Sequence, residues 1–349
     1  MTEWDRAFHA YGPARDGKDL LDALRTGDEV RYIEEHPDAN WQPYTFLWSA
    51  LYCGGWITPA TVLGLRYLVD TVTADDFGGA DPTLRWSAVS WIRDVARAAL
   101  ARPARAGSVL APAALVQDTF APASFAQDAF AQDTLASAFP AQDTFARAAL
   151  GGADLDDMRL AAARRDEPIV AAWLDDHLSR ERSIFAWGDR DEPGRVLLAA
   201  AQVDCFDLLT DCCDPLFSLL APDSPEELRS AAAGAVTALT GHPELSRHRE
   251  EMITYQAAEA RRGSPRYRAA MVLGLGELGA PTAEWLTDPA FAVRVCAALA
   301  PDCAGSAAAA AVLRQASLDP DAFTESLEGF HLHALPSPQA AVAAALSRH

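Results

Sequence analysis

Lysine is nearly missing from this 349-residue chain: Lys18 stands alone, and arginine supplies the rest of the 29 basic side chains. That bias, with its heavy use of alanine, fits a GC-rich coding sequence and carries no functional reading. The arginines do not run together, the longest clusters being the pairs Arg164-Arg165 and Arg261-Arg262. Against them stand 49 acidic residues, for a formal net charge of −20. Nucleic acids attract proteins through clustered Lys and Arg that neutralise phosphates, so this field repels them. A protein partner of basic or arginine-rich character suits it better.

Other absences narrow the field further. No apolar run approaches the ~18 residues of a membrane span. Met1-Thr2-Glu3-Trp4-Asp5-Arg6 shows neither a basic nor an apolar leader region, so a cytoplasmic location is expected. Six cysteines are scattered along a long chain and read as reduced thiols. Cys205 with Cys212, and Cys296 with Cys303, stand seven apart, on one helical face but two turns from each other. No Cys-x-x-Cys or His-x-x-x-His completes a zinc set, which favours small core residues. His242, His248, His331 and His333 lack an acidic or cysteine partner in a familiar order, so solvent-facing or capping roles are expected. No nucleophile elbow, zincin helix, P-loop or dinucleotide glycine pattern occurs. No catalytic residue, metal or cofactor is therefore assigned.

Half the residues are hydrophobic and 22% are charged, the balance of a chain that folds. The periodicity is helical. From Pro82 to Leu100, the residues Leu84, Ala88, Trp91, Ile92 and Val95 share one face, with Arg85, Arg93, Asp94 and Arg97 opposite, which predicts an amphipathic helix. Thr58-Pro59 reads as a cap and first turn, and Leu65, Leu68, Val69 and Val72 follow at helical spacing. Pro43 to Cys53 reads as a short helix ended by Gly54-Gly55. Ser264-Pro265 opens a helix with Tyr267, Met271, Leu275 and Leu278 on one stripe, stopping at Gly279. Gly274 and Gly276 inside it each cost roughly 1 kcal/mol relative to alanine, so close helix contact is expected there. Alternating strand patterns are lacking. The fold class predicted is all-α.

Four more helices open alike: Asp81-Pro82 with Arg85, Glu192-Pro193 with Arg195, Ser224-Pro225 with Arg229, and Asp288-Pro289 with Arg294. The proline separations vary around the length of a helical hairpin, indicating an inexact repeat. These residues resemble the HEAT repeat family and its bacterial PBS-lyase-like branch, in which a helix opens Asp-Pro, carries an early Arg and continues Ala-Ala-x-x-Leu-Gly-x-Leu-Gly. Residues 264–279 match closely, 81–95 and 288–300 in part, and the resemblance spans about 40–110 and 165–349. It implies an armadillo-type α-solenoid, in which each hairpin hides its apolar face against the next. It also implies that Arg85, Arg229, Arg268 and Arg294 are structural, pairing with an acid on the neighbouring repeat.

Between the N-terminal helical region, 1–100, and the C-terminal one, 151–349, lies a low-complexity insertion at 101–150, where Gln-Asp-Thr-Phe-Ala or a near copy recurs. Apolar residues stand five apart from Leu110 to Leu160, with a slip at Phe139-Pro140, a step that winds around a helix rather than striping it. The register resembles the pentapeptide-repeat family, but Asp118, Asp128, Asp133 and Asp143 fall where that family buries a small residue. A duplicated linker, a short β-helix and a docking segment remain open here.

Two constellations suggest a surface. Asp204, Asp207, Asp211 and Asp214 fall at i, i+3, i+7 and i+10, a face of like charge that is either a solvated helix side, a site for a basic ligand, or a cation site. Trp41, Trp48 and Trp56, with Tyr44, Phe46 and Tyr52, form either the capping core of a first repeat or an interface anchor. The function expected is a non-enzymatic interaction scaffold or regulator, including the immunity-protein type, that binds a basic protein through an acidic solenoid surface. The alternatives are a HEAT-like enzyme of the chromophore lyase or DNA glycosylase type, and a DNA mimic acting through the pentad segment.

Overall fold

The computed structural model describes residues 2–28, 46–100, 155–187, 191–327 and 338–349. The insertion at 101–150, Trp41, Tyr44, His331 and His333 lie outside them. The described residues are mostly helical, and no described helix is long and apolar enough to cross a membrane. They fall into two compact units, the first holding residues up to 219 and the second those from 220 onward.

The first unit begins with a two-stranded antiparallel hairpin, β1 (Phe8–His9) and β2 (Gly12–Pro13), which pairs Phe8 with Pro13 and His9 with Gly12. Helix α1 (Gly17–Thr26) buries Leu20, Leu21 and Leu24 and ends at Gly27, whose φ of 73° is the left-handed cap that glycine adopts without a β-carbon clash. Residues 43–45 of the expected Pro43–Cys53 helix lie outside the described residues, and its described part forms a π-helical turn at Phe46–Leu51, followed by Gly54 and Gly55 at positive φ. Helix α2 (Pro59–Thr71) starts on a reciprocal cap in which Thr58 N–H donates to Thr61 Oγ1 (2.8 Å) and Thr61 N–H to Thr58 Oγ1.

Helix α3 (Pro82–Leu100) has the expected bounds but not the expected exposure. Arg93, placed on the solvent side by its spacing, is only 4% exposed, its Nε 2.9 Å from Asp94 Oδ1. The reason is that α1, α2 and a later helix all pack on α3, leaving little of its circumference free. Its Trp91 is fully buried and donates Nε1–H to the Leu47 carbonyl (2.8 Å), satisfying a group of the π-helical turn.

Helices α4 (Leu155–Ala162), α5 (Pro168–Ser179), α6 (Glu192–Leu208) and α7 (Cys213–Ser218) complete the first unit. Helix α6 is its centre: α2, α3, α4 and α5 all pack against it. Its sequence suits that place, with small or apolar residues from Val196 to Val203 on nearly every side. Gln202, buried among them, donates to the Ala98 carbonyl near the end of α3 (2.9 Å). The sequence divides the chain at 101–150, whereas these contacts carry 155–219 into one unit with the N-terminal helices. Leu155 and Leu160, the last members of the five-residue register, lie on α4, and Leu160 is 71% exposed, so the register does not continue as a β-helix there.

The second unit runs through α8 (Glu226–Leu239), α9 (Arg249–Glu259), α10 (Pro265–Glu277), α11 (Phe291–Leu299), α12 (Ala307–Leu318), α13 (Pro320–Leu327) and α14 (Pro338–Leu346). Here α8 to α12 each pack on the next one or two helices in sequence. Ser264 caps α10 by accepting from Tyr267 N–H, the stripe Tyr267, Met271, Leu275 and Leu278 is buried, and Gly279 follows at φ 70°. Both α10 glycines mark close approaches. A β-carbon at 274 would lie 2.6 Å from Gln256 Oε1, and one at 276 would lie 2.8 Å from Ala300 Cβ.

Candidate functional site

The acidic row is not one helical face. Asp204 and Asp207 share α6, but that helix ends at Leu208, Asp211 sits in the following turn, and Asp214 is on α7. Nothing in the chain at 209–212 is a strong breaker, and the stop arises where Leu209 and Cys212 turn into the core. Two of the four charges are also compensated. Arg165 grips Asp204 with both amino groups (2.7 and 3.0 Å), and this pairing raises the guanidinium pKa. Arg159 approaches Asp207 at 3.5 Å. Asp211 and Asp214 are exposed, with no partner among the described residues. Those two are the exposed, uncompensated charges of the row.

The tryptophans separate. Trp56 is 6% exposed in a core cluster with Phe8, Cys53, Leu174, Leu178, Ile184 and Leu198, so it is a packing residue and not an exposed anchor. Trp48 is partly buried on the π-helical turn.

The four arginines make two kinds of tie. Arg229 of α8 donates to Glu259 Oε2 on α9 (2.8 Å) and lies over the Tyr267 ring, 4.7 Å from its centroid. Tyr267 donates to the same carboxylate (2.8 Å), and burial drives the phenol pKa upward. Arg268 of α10 holds Asp288 bidentately (2.7 and 3.1 Å). Arg85 instead donates to the Val72 and Thr73 carbonyls just past α2 (2.8 and 2.9 Å), and Arg294 to those of Asp288 and Pro289. In those two the guanidinium takes up carbonyls at a helix end or turn rather than an acid.

All six cysteines are free and buried. The spacing-of-seven pairs do not lie on single helices, because α6 ends before Cys212 and α11 before Cys303. No group of three His, Cys, Asp or Glu arranged to hold a metal occurs among the described residues. His242 is buried and not solvent-facing, accepting at Nδ1 from Glu244 N–H (3.3 Å), while His248 meets Glu251 across one helical turn (3.1 Å).

One aromatic cluster corresponds to no motif in the sequence. His177, 1% exposed, stacks on Trp173 (centroids 4.8 Å apart, planes at 12°) and meets Phe8 and Trp187 edge-on. Neither ring nitrogen has a hydrogen-bond partner among the described residues. Trp173 Nε1–H donates to buried Asp191 (3.0 Å), which also accepts from Arg182 (3.3 Å). The available signal was the i, i+4 spacing of Trp173 and His177 on α5.

Comparison with models of protein families, with curated proteins and with solved structures gives no match to this chain.

Proposed function

We propose that the chain is a non-catalytic interaction module whose acidic first unit binds a basic protein partner. The observation that carries this reading is the uneven charge. Among the described residues the first unit holds 24 acidic and 14 basic side chains, against 14 and 10 in the second. A field of one sign on a rigid helical framework steers an oppositely charged partner and sets which partners are admitted. Asp211 and Asp214, uncompensated and exposed, are the proposed contact residues, and Asp204 and Asp207 contribute through charges already shared with Arg165 and Arg159.

The second unit is proposed as a short stack of HEAT-like helix pairs. Packing of each helix on its sequence neighbours supports it, as do the Arg229–Glu259 and Arg268–Asp288 ties between successive elements. The central position of α6 supports no such stack for the first unit, so the HEAT-like reading is confined to 220–349. Such a stack serves to present a surface. Affinity capture with the full chain from its native cytosol, eluted by a salt gradient and repeated with Asp211→Lys/Asp214→Lys, tests the proposal. A basic protein released by moderate salt and lost with the variant is expected; capture indifferent to both changes refutes it.

A further inference from the structure

Two imidazoles sit on either side of the contact that fixes the N-terminal hairpin in the first unit. The Ala10 carbonyl accepts from Ile184 N–H (3.1 Å) and from Ser183 Oγ (2.8 Å), Arg15 donates to the Leu178 carbonyl (3.1 Å), and Phe8 lies against His177, Trp173 and Trp187. Within the hairpin, His9 Nδ1 accepts from Tyr11 N–H (3.1 Å), which closes the turn between β1 and β2. That bond exists only while Nδ1 carries no proton. At His177 the geometry is equally exclusive. Its nitrogens face no acceptor among the described residues, so an imidazolium there would bury two unmatched N–H donors and a charge.

We propose that His9 and His177 form an acid-sensitive latch, which releases the Phe8–Pro13 hairpin from α5 and the 183–187 segment when the imidazoles take up protons. The charged surroundings allow this. The hairpin carries no charged side chain of its own. Burial is the main influence on His177, followed by Arg182, which opposes its protonation, and then Asp191 and Asp176, which favour it. The same elements also carry Asp175, Arg180, Glu181, Glu192 and Arg195. His9 packs on Tyr11 and Phe46, the titratable and charged side chains of α2 are the exposed Arg66 and Asp70 and the half-buried Tyr67, and burial lowers the pKa of His9.

Both pKa values fall from 6.5 to about 4. The opened chain therefore takes up protons before the closed one. The closed form has its full advantage above pH 6.5 and loses it progressively as pH falls towards 4. Between pH 7.5 and 5.5 each histidine should raise the open fraction about tenfold, roughly a hundredfold together.

Hydrogen exchange of the full chain at these two pH values, corrected for the intrinsic pH dependence of exchange, tests this. Peptides covering 8–13 and 170–187 should lose about a hundredfold in protection, while those covering 265–299 hold theirs. His177→Phe, which keeps an aromatic ring in the box, should remove about a tenfold share of the response. Unchanged protection in the wild type, or an undiminished response in the variant, overturns the latch. If His177→Phe does not fold, imidazole titration of the wild type by NMR decides: values near 4 sustain the proposal, and ordinary values near 6.5 end it.

Discussion

Gln256 lies so close over Gly274 that a β-carbon on residue 274 would meet its carboxamide oxygen at 2.6 Å. The side chain cannot simply swing aside, because it is buried and its Nε2 donates to Thr237 Oγ1 on α8 (2.7 Å). Three helices therefore converge where residue 274 carries no side chain. Glycine to alanine in a helix ordinarily gains about 1 kcal/mol. Here the gain is offset by displacing Gln256 and breaking its bond, so Gly274→Ala should destabilise the protein by about 1–3 kcal/mol. Denaturant unfolding of Gly274→Ala, Gln256→Ala and the double variant should show strong non-additivity, with the double variant close to Gln256→Ala alone.

The Arg268–Asp288 pair ties α10 to the turn that leads into α11. Asp288 is 8% exposed on its side chain and also accepts from Ala290 N–H (2.8 Å). Removing one partner strands a charge in a nearly dry place, so Arg268→Met should cost about 3–5 kcal/mol. The exposed Arg261–Glu284 pair is the control, and Arg261→Met should cost under about 1 kcal/mol. Urea midpoints of the two variants check both values.

Trp91 offers a test inside the first unit. Trp91→Phe keeps most of the apolar volume but leaves the Leu47 carbonyl without its indole donor, and should cost about 1–3 kcal/mol. Trp91→Ala adds a cavity and should cost about 3–5 kcal/mol. Thermal unfolding should show the two losses in that order.

The thiols make a chemical prediction. Burial drives the Cys205 and Cys212 pKa values upward and that of Cys296 up to about 12, so their reactive thiolates are scarce at neutral pH. Native protein at pH 7.5 should resist iodoacetamide at these three positions. In denaturant all should alkylate readily, and mass spectrometry after labelling reads the difference.

The helices of the second unit were legible because local signals act alone there. Ser264-Pro265 begins α10 and Gly279 ends it, and the two glycines inside the helix announced the close contacts at Gln256 and Ala300. In the first unit, packing decides. Arg93 reads as solvent-facing by periodicity, yet neighbours cover it; Trp56 reads as an anchor, yet core residues surround it. The acidic row reads as continuous because no glycine or proline marks the end of α6 at Leu208. Even the arginine partners of Asp204 and Asp207 are 39 and 48 residues away in sequence, beyond the reach of any local pattern.

In the proposed function, uncompensated acid on the first unit recognises a basic protein. Calorimetric titration of the captured partner into the full chain at 50 and 300 mM salt checks this, comparing Asp211→Lys/Asp214→Lys with a control reversal in the second unit, Asp319→Lys/Asp321→Lys. Binding should weaken at least about tenfold with salt and again with the first variant, while the control leaves it unchanged. Equal affinities for all three proteins at both salt concentrations would mean that the acidic residues of the first unit take no part in binding.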